Sequence, residues 1–175
     1  MGADPRAQGG AHEEETVLEN VLEYPRPAVC EPTPRRIRIV YAGETIVDTR
    51  EAWRVLETYH PPTYYVPPHA VREGLLSLNG RRSLCEWKGR AVYWDARLGG
   101  RANANVAWSY PDPTPAFRPI RDFVAFYDEP ISLEPGDGCF VDDERVRPQP
   151  GNFYGGWLTS DITGPVKGAP GTTHW

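Results

Sequence analysis

The segment Cys85–Gly89 places a thiol, a carboxylate, an indole and an amine within five consecutive residues. The amine is rare in this chain, because only Lys88 and Lys167 are lysines among the 19 lysine and arginine residues. A lysine amine that loses its proton on desolvation becomes a base or a nucleophile, whereas a guanidinium stays charged. Lys88 is therefore a candidate acid/base or Schiff-base residue. The structural alternative is that Lys88-Gly89 forms an ordinary turn and that the scarcity of lysine reflects genome composition.

Two other side chains could assist Lys88. Cys85 is nucleophilic only as a thiolate, which a positive neighbour would favour, and a free cysteine is equally typical of a small buried apolar position. His60 lies among tyrosines just before a Pro-Pro pair. Histidine titrates near neutral pH, so this residue is a candidate proton shuttle, with a hydrogen-bonded structural role as the alternative. Glu44 or Tyr65 would be its partner in proton transfer.

Alternating apolar and polar residues predict the strands that must position these groups. Asp48 and Glu51 match a capping box, which predicts a short helix from Asp48 to about Thr58. One helical turn is expected over 69–76, and Asn79-Gly80 is typical of a tight turn. The predicted strands cover 36–41, 44–47, 64–66, 83–87, 90–98, 103–110, 122–127 and 139–146.

Side chains on a strand alternate between its two faces, which sorts the aromatic residues. The alternation places Lys88 on the face opposite Cys85, so Lys88 can reach the aromatic residues only if the strand ends or bends before Gly89. Strands in simple register would bring four rings together, as an aromatic core or as an aromatic-walled pocket. Those four rings are Trp87, Trp94, Trp108 and Tyr110. The candidate ligand-binding residues are these four together with Tyr93 and Asn105.

Composition limits the class of protein. The 175 residues carry a net charge of −5, which argues against nucleic-acid binding, and 19 prolines with 17 glycines suit short strands joined by turns. No apolar run is long enough to cross a membrane, and the polar N-terminus does not match a secretory signal. We expect a cytoplasmic protein that binds a small molecule; a homodimer is left open.

Cysteine spacing bears on metals and cofactors. The three cysteines, Cys30, Cys85 and Cys139, are widely spaced and contain no C-x-x-C pair. We therefore expect neither a disulfide framework nor a structural zinc site, and we expect no metal or cofactor.

Four regions follow from these patterns. Residues 1–16 are small, polar and acidic and are expected to be disordered. Residues 17–34 are predicted to form an extended, proline-rich arm, and residues 35–147 a single mainly β domain. Residues 148–175 form a tail rich in glycine and proline, whose aromatic residues predict that part of it packs on the domain.

Several blocks of this sequence resemble the bacterial domain-of-unknown-function family 427. They are His60-Pro61-Pro62-Thr63-Tyr64-Tyr65-Val66-Pro67-Pro68, Cys85-Glu86-Trp87-Lys88-Gly89 and Asn105-Val106-Ala107-Trp108-Ser109-Tyr110-Pro111. The resemblance covers about residues 36–128. It implies a small antiparallel β-tent, in which two sheets meet at an angle. Some relatives of that fold hold zinc with two C-x-x-C pairs, which this chain lacks, and others use an aromatic cage.

Three functions fit these residues. The first is a small cofactor-independent enzyme, of lyase, isomerase or hydrolase type, that acts on an aromatic or carbonyl-containing metabolite through Lys88. The second is a module that binds a small molecule in an aromatic cage without chemistry. The third is a scaffold whose proline-rich and aromatic segments contact a protein partner.

Overall fold

The computed structural model describes residues 17–151, 153–172 and 174–175, which form a mainly β, largely antiparallel structure. This confirms the predicted fold class, while the expectation for residues 1–16 lies outside the described residues. Short helical segments span Val21–Glu23, Pro68–Ala70 and Pro115–Ile120 as 3-10 turns and Asp128–Ile131 as the α-helix α1. The strands are β1 (Glu19–Asn20), β2 (Val29–Pro32), β3 (Ile37–Tyr41), β4 (Glu44–Thr49), β5 (Trp53–Leu56), β6 (Thr63–Tyr65), β7 (Leu76–Cys85), β8 (Gly89–Leu98), β9 (Arg101–Ser109), β10 (Val124–Phe126), β11 (Gly138–Val141), β12 (Glu144–Arg145), β13 (Arg147–Pro148), β14 (Trp157–Leu158) and β15 (Ile162–Thr163).

A four-stranded antiparallel sheet, ordered β10-β9-β8-β7, lies at the centre of the fold. One of its faces packs against the second four-stranded sheet, β12-β11-β3-β4, through a buried cluster that includes Ile39, Val106 and Phe126. Its other face packs against the three-stranded sheet β2-β5-β6 through a second cluster, which includes Tyr65 and Trp108. Because both faces are covered, the central sheet separates two cores, and the second one is rich in tyrosine and tryptophan.

The arm and the tail are part of this packing. In the arm, β2 pairs with β5, and Val21 is fully buried, whereas Val17, Leu18 and Leu22 stay exposed. In the tail, β14 pairs with β13, and Trp157 is buried with its indole nitrogen bonded to the Phe126 carbonyl. The parallel pair β1–β15 joins the two ends of the described chain.

The helix expected from Asp48 to Thr58 is wrong. The strand β4 continues to Thr49, and β5 runs from Trp53 to Leu56 between β2 and β6. The Asp48 carboxylate pairs with Arg36 on the neighbouring strand instead of capping a helix. Partner strands on both sides of β5 supply hydrogen bonds that a local capping pattern cannot outweigh.

The tight turn expected at Asn79-Gly80 is also absent. These residues form an irregularity inside β7, where the pairing with β8 shifts between Leu78 and Arg82. The Asn79 side-chain amide bridges two neighbouring strands, with its nitrogen 2.7 Å from Asp95 Oδ1 and 2.7 Å from Asn105 Oδ1. The helical turn expected over 69–76 is limited to the 3-10 turn Pro68–Ala70.

No helix within the described parts of the chain has the length and apolar character needed to cross a membrane.

Candidate functional site

The segment Cys85–Gly89 is the turn of a β-hairpin. Strand β7 ends at Cys85 and β8 begins at Gly89, with these two residues opposite each other in the ladder. The strand therefore ends before Gly89, which is what Lys88 needs in order to reach the aromatic residues. The Lys88 ammonium lies 5.9 Å from the ring centroid of Tyr110 and 5.9 Å from that of Phe117. The turn therefore brings the amine to the edge of the aromatic core.

The proline-rich loop after Tyr110 holds this turn in place. The Thr114 amide donates to the Lys88 carbonyl at 3.1 Å, and the Thr114 hydroxyl donates to the Trp87 carbonyl at 2.6 Å. Gly89 has a φ of +106°, and a Cβ there would lie only 3.3 Å from the Asp112 carbonyl oxygen. A glycine is favoured at this position because the backbone conformation would strain any other residue and a Cβ would press on the loop.

A cavity of about 340 Å³ opens between this hairpin, the β5–β6 region and the tail. Its volume is in the range of small-molecule binding sites. The chain's two lysines, Lys88 and Lys167, both line it. The other lining residues are Val55, Glu57, His60, Pro61, Thr63, Tyr65, Ser83, Leu84, Cys85, Glu86, Trp87, Tyr93, Trp108, Tyr110, Tyr127, Gln149, Phe153, Tyr154 and Gly155.

A chain of polar contacts runs along one wall of the cavity. His60 Nε2 lies 2.8 Å from Glu57 Oε2, and His60 Nδ1 lies 2.9 Å from the Gln149 side-chain nitrogen. That same nitrogen donates to the Lys167 carbonyl at 2.9 Å, and a carbonyl can only accept. Gln149 must therefore donate to His60 Nδ1, and the ring proton sits on Nε2, directed at Glu57. Both ring nitrogens are occupied, so His60 offers a ligand neither a free donor nor a free acceptor.

Glu57 is the ionised carboxylate of this wall. Burial alone would raise its pKa, but the hydrogen bond from His60 and the charge of Lys88 outweigh burial and lower the pKa below its ordinary value. His60 contacts this carboxylate through Oε2.

Tyrosine hydroxyls supply the remaining polar groups. Burial is the main cause that raises the pKa values of Tyr65, Tyr110 and Tyr127, so these phenols remain protonated over the physiological pH range. The Trp108 indole nitrogen donates to the Tyr65 hydroxyl at 3.3 Å. Cys85 packs against the same aromatic cluster as Tyr65 and Tyr110.

Most of the residues that the sequence selected line this one cavity. Lys88, His60, Tyr65 and Cys85 do so among the candidate catalytic residues; whether they act stays a prediction. Among the candidate binding residues, Trp87, Tyr93, Trp108 and Tyr110 line it as well.

Three selected residues lie elsewhere. Glu44 is exposed on β4 and pairs with Arg72 at 2.8 Å. Asn105 sits on a bulge of β9 with a φ of +53° and lines a neighbouring cavity of about 220 Å³. Trp94 packs against the larger core, and its indole nitrogen donates to the Ser109 hydroxyl at 2.9 Å.

The position of Trp94 corrects the expected grouping of rings. In the observed register Tyr93, not Trp94, is opposite Trp108, while Trp94 is opposite Ala107. A shift of one residue in register moves every side chain to the other face of its strand. Tyr93 therefore joins Trp108 and Tyr110 in the second core, and Trp94 lies across the sheet from them.

The sequence did not point to several residues of the cavity. Glu57 lies three residues before His60, a spacing that could have been read as an acid–histidine pair. Gln149, Tyr154 and Lys167 come from the tail, and no local pattern connects them with residues so distant in the chain. Within the parts of the chain that the structure describes, no cluster of three or more histidine, cysteine, aspartate or glutamate side chains could hold a metal ion.

Comparison with known families supports the resemblance seen in the sequence. Residues 29–142 match the family model described as a domain of unknown function, DUF427. The chain belongs to this family. The match spans β2 to β11 and includes the hairpin that carries Lys88, whereas the tail residues of the cavity lie outside it. No curated protein matches the chain.

Proposed function

We propose that the cavity takes up a small carbonyl compound and that the Lys88 amine reacts with its carbonyl carbon to form an imine. The observation that carries this proposal is the position of the ammonium, 5.9 Å from the Tyr110 and Phe117 ring centroids. No ion pair among the described residues uses Lys88. The ammonium is therefore not held in an ion pair by these residues and is available to a ligand in the cavity that it lines.

The neighbouring groups suit each step of imine formation. Glu57, which lies within electrostatic range of Lys88, takes the proton that the ammonium must lose. The neutral amine attacks the carbonyl carbon and a C–N bond forms. A protonated tyrosine such as Tyr65 or Tyr110 donates to the carbonyl oxygen as it gains charge. The oxygen then leaves as water with the two protons of the amine, and the C=N bond remains.

An imine makes reaction at the adjacent carbon easier, because it draws electrons from the neighbouring C–H or C–C bond. This chemistry belongs to lyases and isomerases and needs no redox or nucleotide cofactor. His60 holds Glu57 in place through the contact with Oε2. In this proposal Glu57 moves the proton and His60 is a positioning residue.

Reductive trapping tests the proposal. Incubation with benzaldehyde and sodium cyanoborohydride, followed by peptide mapping, should place a benzyl group on Lys88. Lys88→Arg keeps the positive charge but should abolish the adduct at this position, and Leu133→Ala, an exposed change elsewhere, should leave it intact. An adduct that forms only at Lys167 or at the N-terminus would refute the role of Lys88.

A binding module is the second candidate, and the saturation of His60 favours it. Because both ring nitrogens are bonded, the cavity contains no free histidine for proton transfer. A ligand that quenches tryptophan fluorescence over long incubation and is recovered unchanged would support binding without chemistry. Loss of that quenching in Lys88→Ala but not in Trp108→Ala would count against an aromatic cage.

A further inference from the structure

Large apolar side chains lie exposed beside the cavity. Trp87 is 36% exposed and Phe153 is 66% exposed, and both line the cavity from different parts of the chain. Trp87 belongs to the hairpin turn and Phe153 to the tail. Apolar surface that remains open to water at the edge of a pocket marks a place where a ligand contacts the protein.

A continuous line of rings leads from this exposed surface inward. The Phe153 and Tyr154 rings pack edge to face with centroids 5.4 Å apart, and Tyr154 packs on His60 with centroids 5.2 Å apart. The other exposed ring, Trp87, is the neighbour of Lys88 in the turn. Its backbone is held by the Thr114 hydroxyl, so the position of the indole does not depend on a free loop.

We propose that Trp87 and Phe153 form an apolar rim that binds a hydrophobic extension of the substrate while its carbonyl group reaches Lys88. The substrate class is then an amphiphilic carbonyl compound with an alkyl or aryl arm, and not a compact polar metabolite. This inference rests on the proposed function. The Glu57–His60 wall and the tyrosine hydroxyls supply polar groups for the head of the substrate, while Trp87, Phe153 and the exposed Leu84 supply apolar surface for the arm.

A series of linear aldehydes tests the rim. Butanal, hexanal and octanal, each at the same low concentration with cyanoborohydride, should modify Lys88 with increasing efficiency. Burial of each added methylene should raise the yield about two- to fourfold until the rim is covered. The series is run in Lys167→Arg, because the Lys167 ammonium lines the same cavity, 5.9 Å from the Tyr154 ring centroid, and would otherwise respond to chain length as well.

Substitutions at the rim, compared with one at an exposed leucine elsewhere, show whether the dependence on chain length arises at the rim. Trp87→Ser and Phe153→Ser should each flatten the dependence of the Lys88 yield on chain length. Leu133→Ser removes a side chain of similar exposure (63%) outside the cavity and should leave the dependence unchanged. Two results would refute the proposal that Trp87 and Phe153 bind the alkyl chain: a yield at Lys88 that does not depend on chain length, or a dependence that remains in both rim variants.

Binding of unreactive alcohols distinguishes this failure from a failure of the imine chemistry. Hexanol and octanol should bind with an affinity that rises with chain length and falls in Trp87→Ser, as followed by calorimetry. If the alcohols bind in this way but no aldehyde modifies Lys88, the imine proposal is refuted and the rim stands. If butanal modifies Lys88 and the alcohols show no such trend, the rim is refuted and the imine proposal stands.

Discussion

Gly155 is the position where the tail closes against the aromatic wall of the cavity. A Cβ added there would overlap the Trp108 ring at Cη2 and would lie 2.8 Å from Cζ3 and 2.9 Å from Cζ2. Trp108 is 7% exposed and its ring lies 4.4 Å from that of Tyr127, so it can yield only by shifting toward the cavity or against its neighbours. Gly155→Ala must therefore displace the tail or the indole.

The expected loss follows from overpacking. Extra atoms forced into a packed site cost about 1–3 kcal/mol in the free energy of unfolding. For a chain of this size, about 1 kcal/mol lowers the melting temperature by roughly 2–4 °C. Thermal and urea unfolding should both report the loss, and the cavity should lose ligand binding because Gly155 lines it.

A double-mutant cycle isolates the contact. Trp108→Phe removes the ring atoms that the new Cβ would overlap, so the combined variant Trp108→Phe/Gly155→Ala should be more stable than the sum of the two single effects predicts. The coupling should be about 1–2 kcal/mol in the favourable direction. Unchanged stability in Gly155→Ala, or strictly additive effects in the cycle, would refute this account of how the tail packs.

The remaining predictions concern one buried hydroxyl and one ionised carboxylate. The Tyr64 hydroxyl is buried without a hydrogen-bond partner among the described residues. Tyr64→Phe should therefore change the free energy of unfolding by no more than about 0.5 kcal/mol or raise it. A loss of about 2 kcal/mol in urea denaturation would contradict this. The pKa of Glu57 is lowered in the folded protein, so the folded state binds fewer protons than the unfolded state, and the stabilisation is present above the ordinary glutamate range and lost as pH falls. The stability difference between wild type and Glu57→Gln should therefore shrink from pH 7 to pH 4, and a difference that grows in acid would be inconsistent with a lowered pKa.

Local patterns predicted the strands more reliably than their partners. The alternation in Ile37–Tyr41 and in 90–98 located β3 and β8 to within a residue, because burial of one face dictates that pattern. The capping box at Asp48 and Glu51 wrongly predicted a helix over Trp53–Leu56, which forms β5 between β2 and β6. Their hydrogen bonds override the capping pattern at Asp48.

The candidate site was predicted in part for the same reason. Lys88 and Cys85 could be selected because they are neighbours in a distinctive segment. The grouping of Trp94 with Trp108 failed because register depends on the bulges in β7 and β9, which alternation alone does not reveal. The contact of His60 with Gln149 joins residues 89 positions apart, a distance that no motif spans.

The reactivity of Lys88 relative to Lys167 tests the central claim most directly. The two amines belong to the same chain and line the same cavity, so one peptide map measures both after reductive trapping with an aldehyde. The account predicts a clear preference for Lys88 in the folded protein, because the Lys167 ammonium is bonded to the Trp175 carbonyl. The preference should fall to near parity in urea, where that bond and the cavity are lost. Equal modification of the two lysines in the folded protein, or a preference for Lys88 that persists after unfolding, would contradict it.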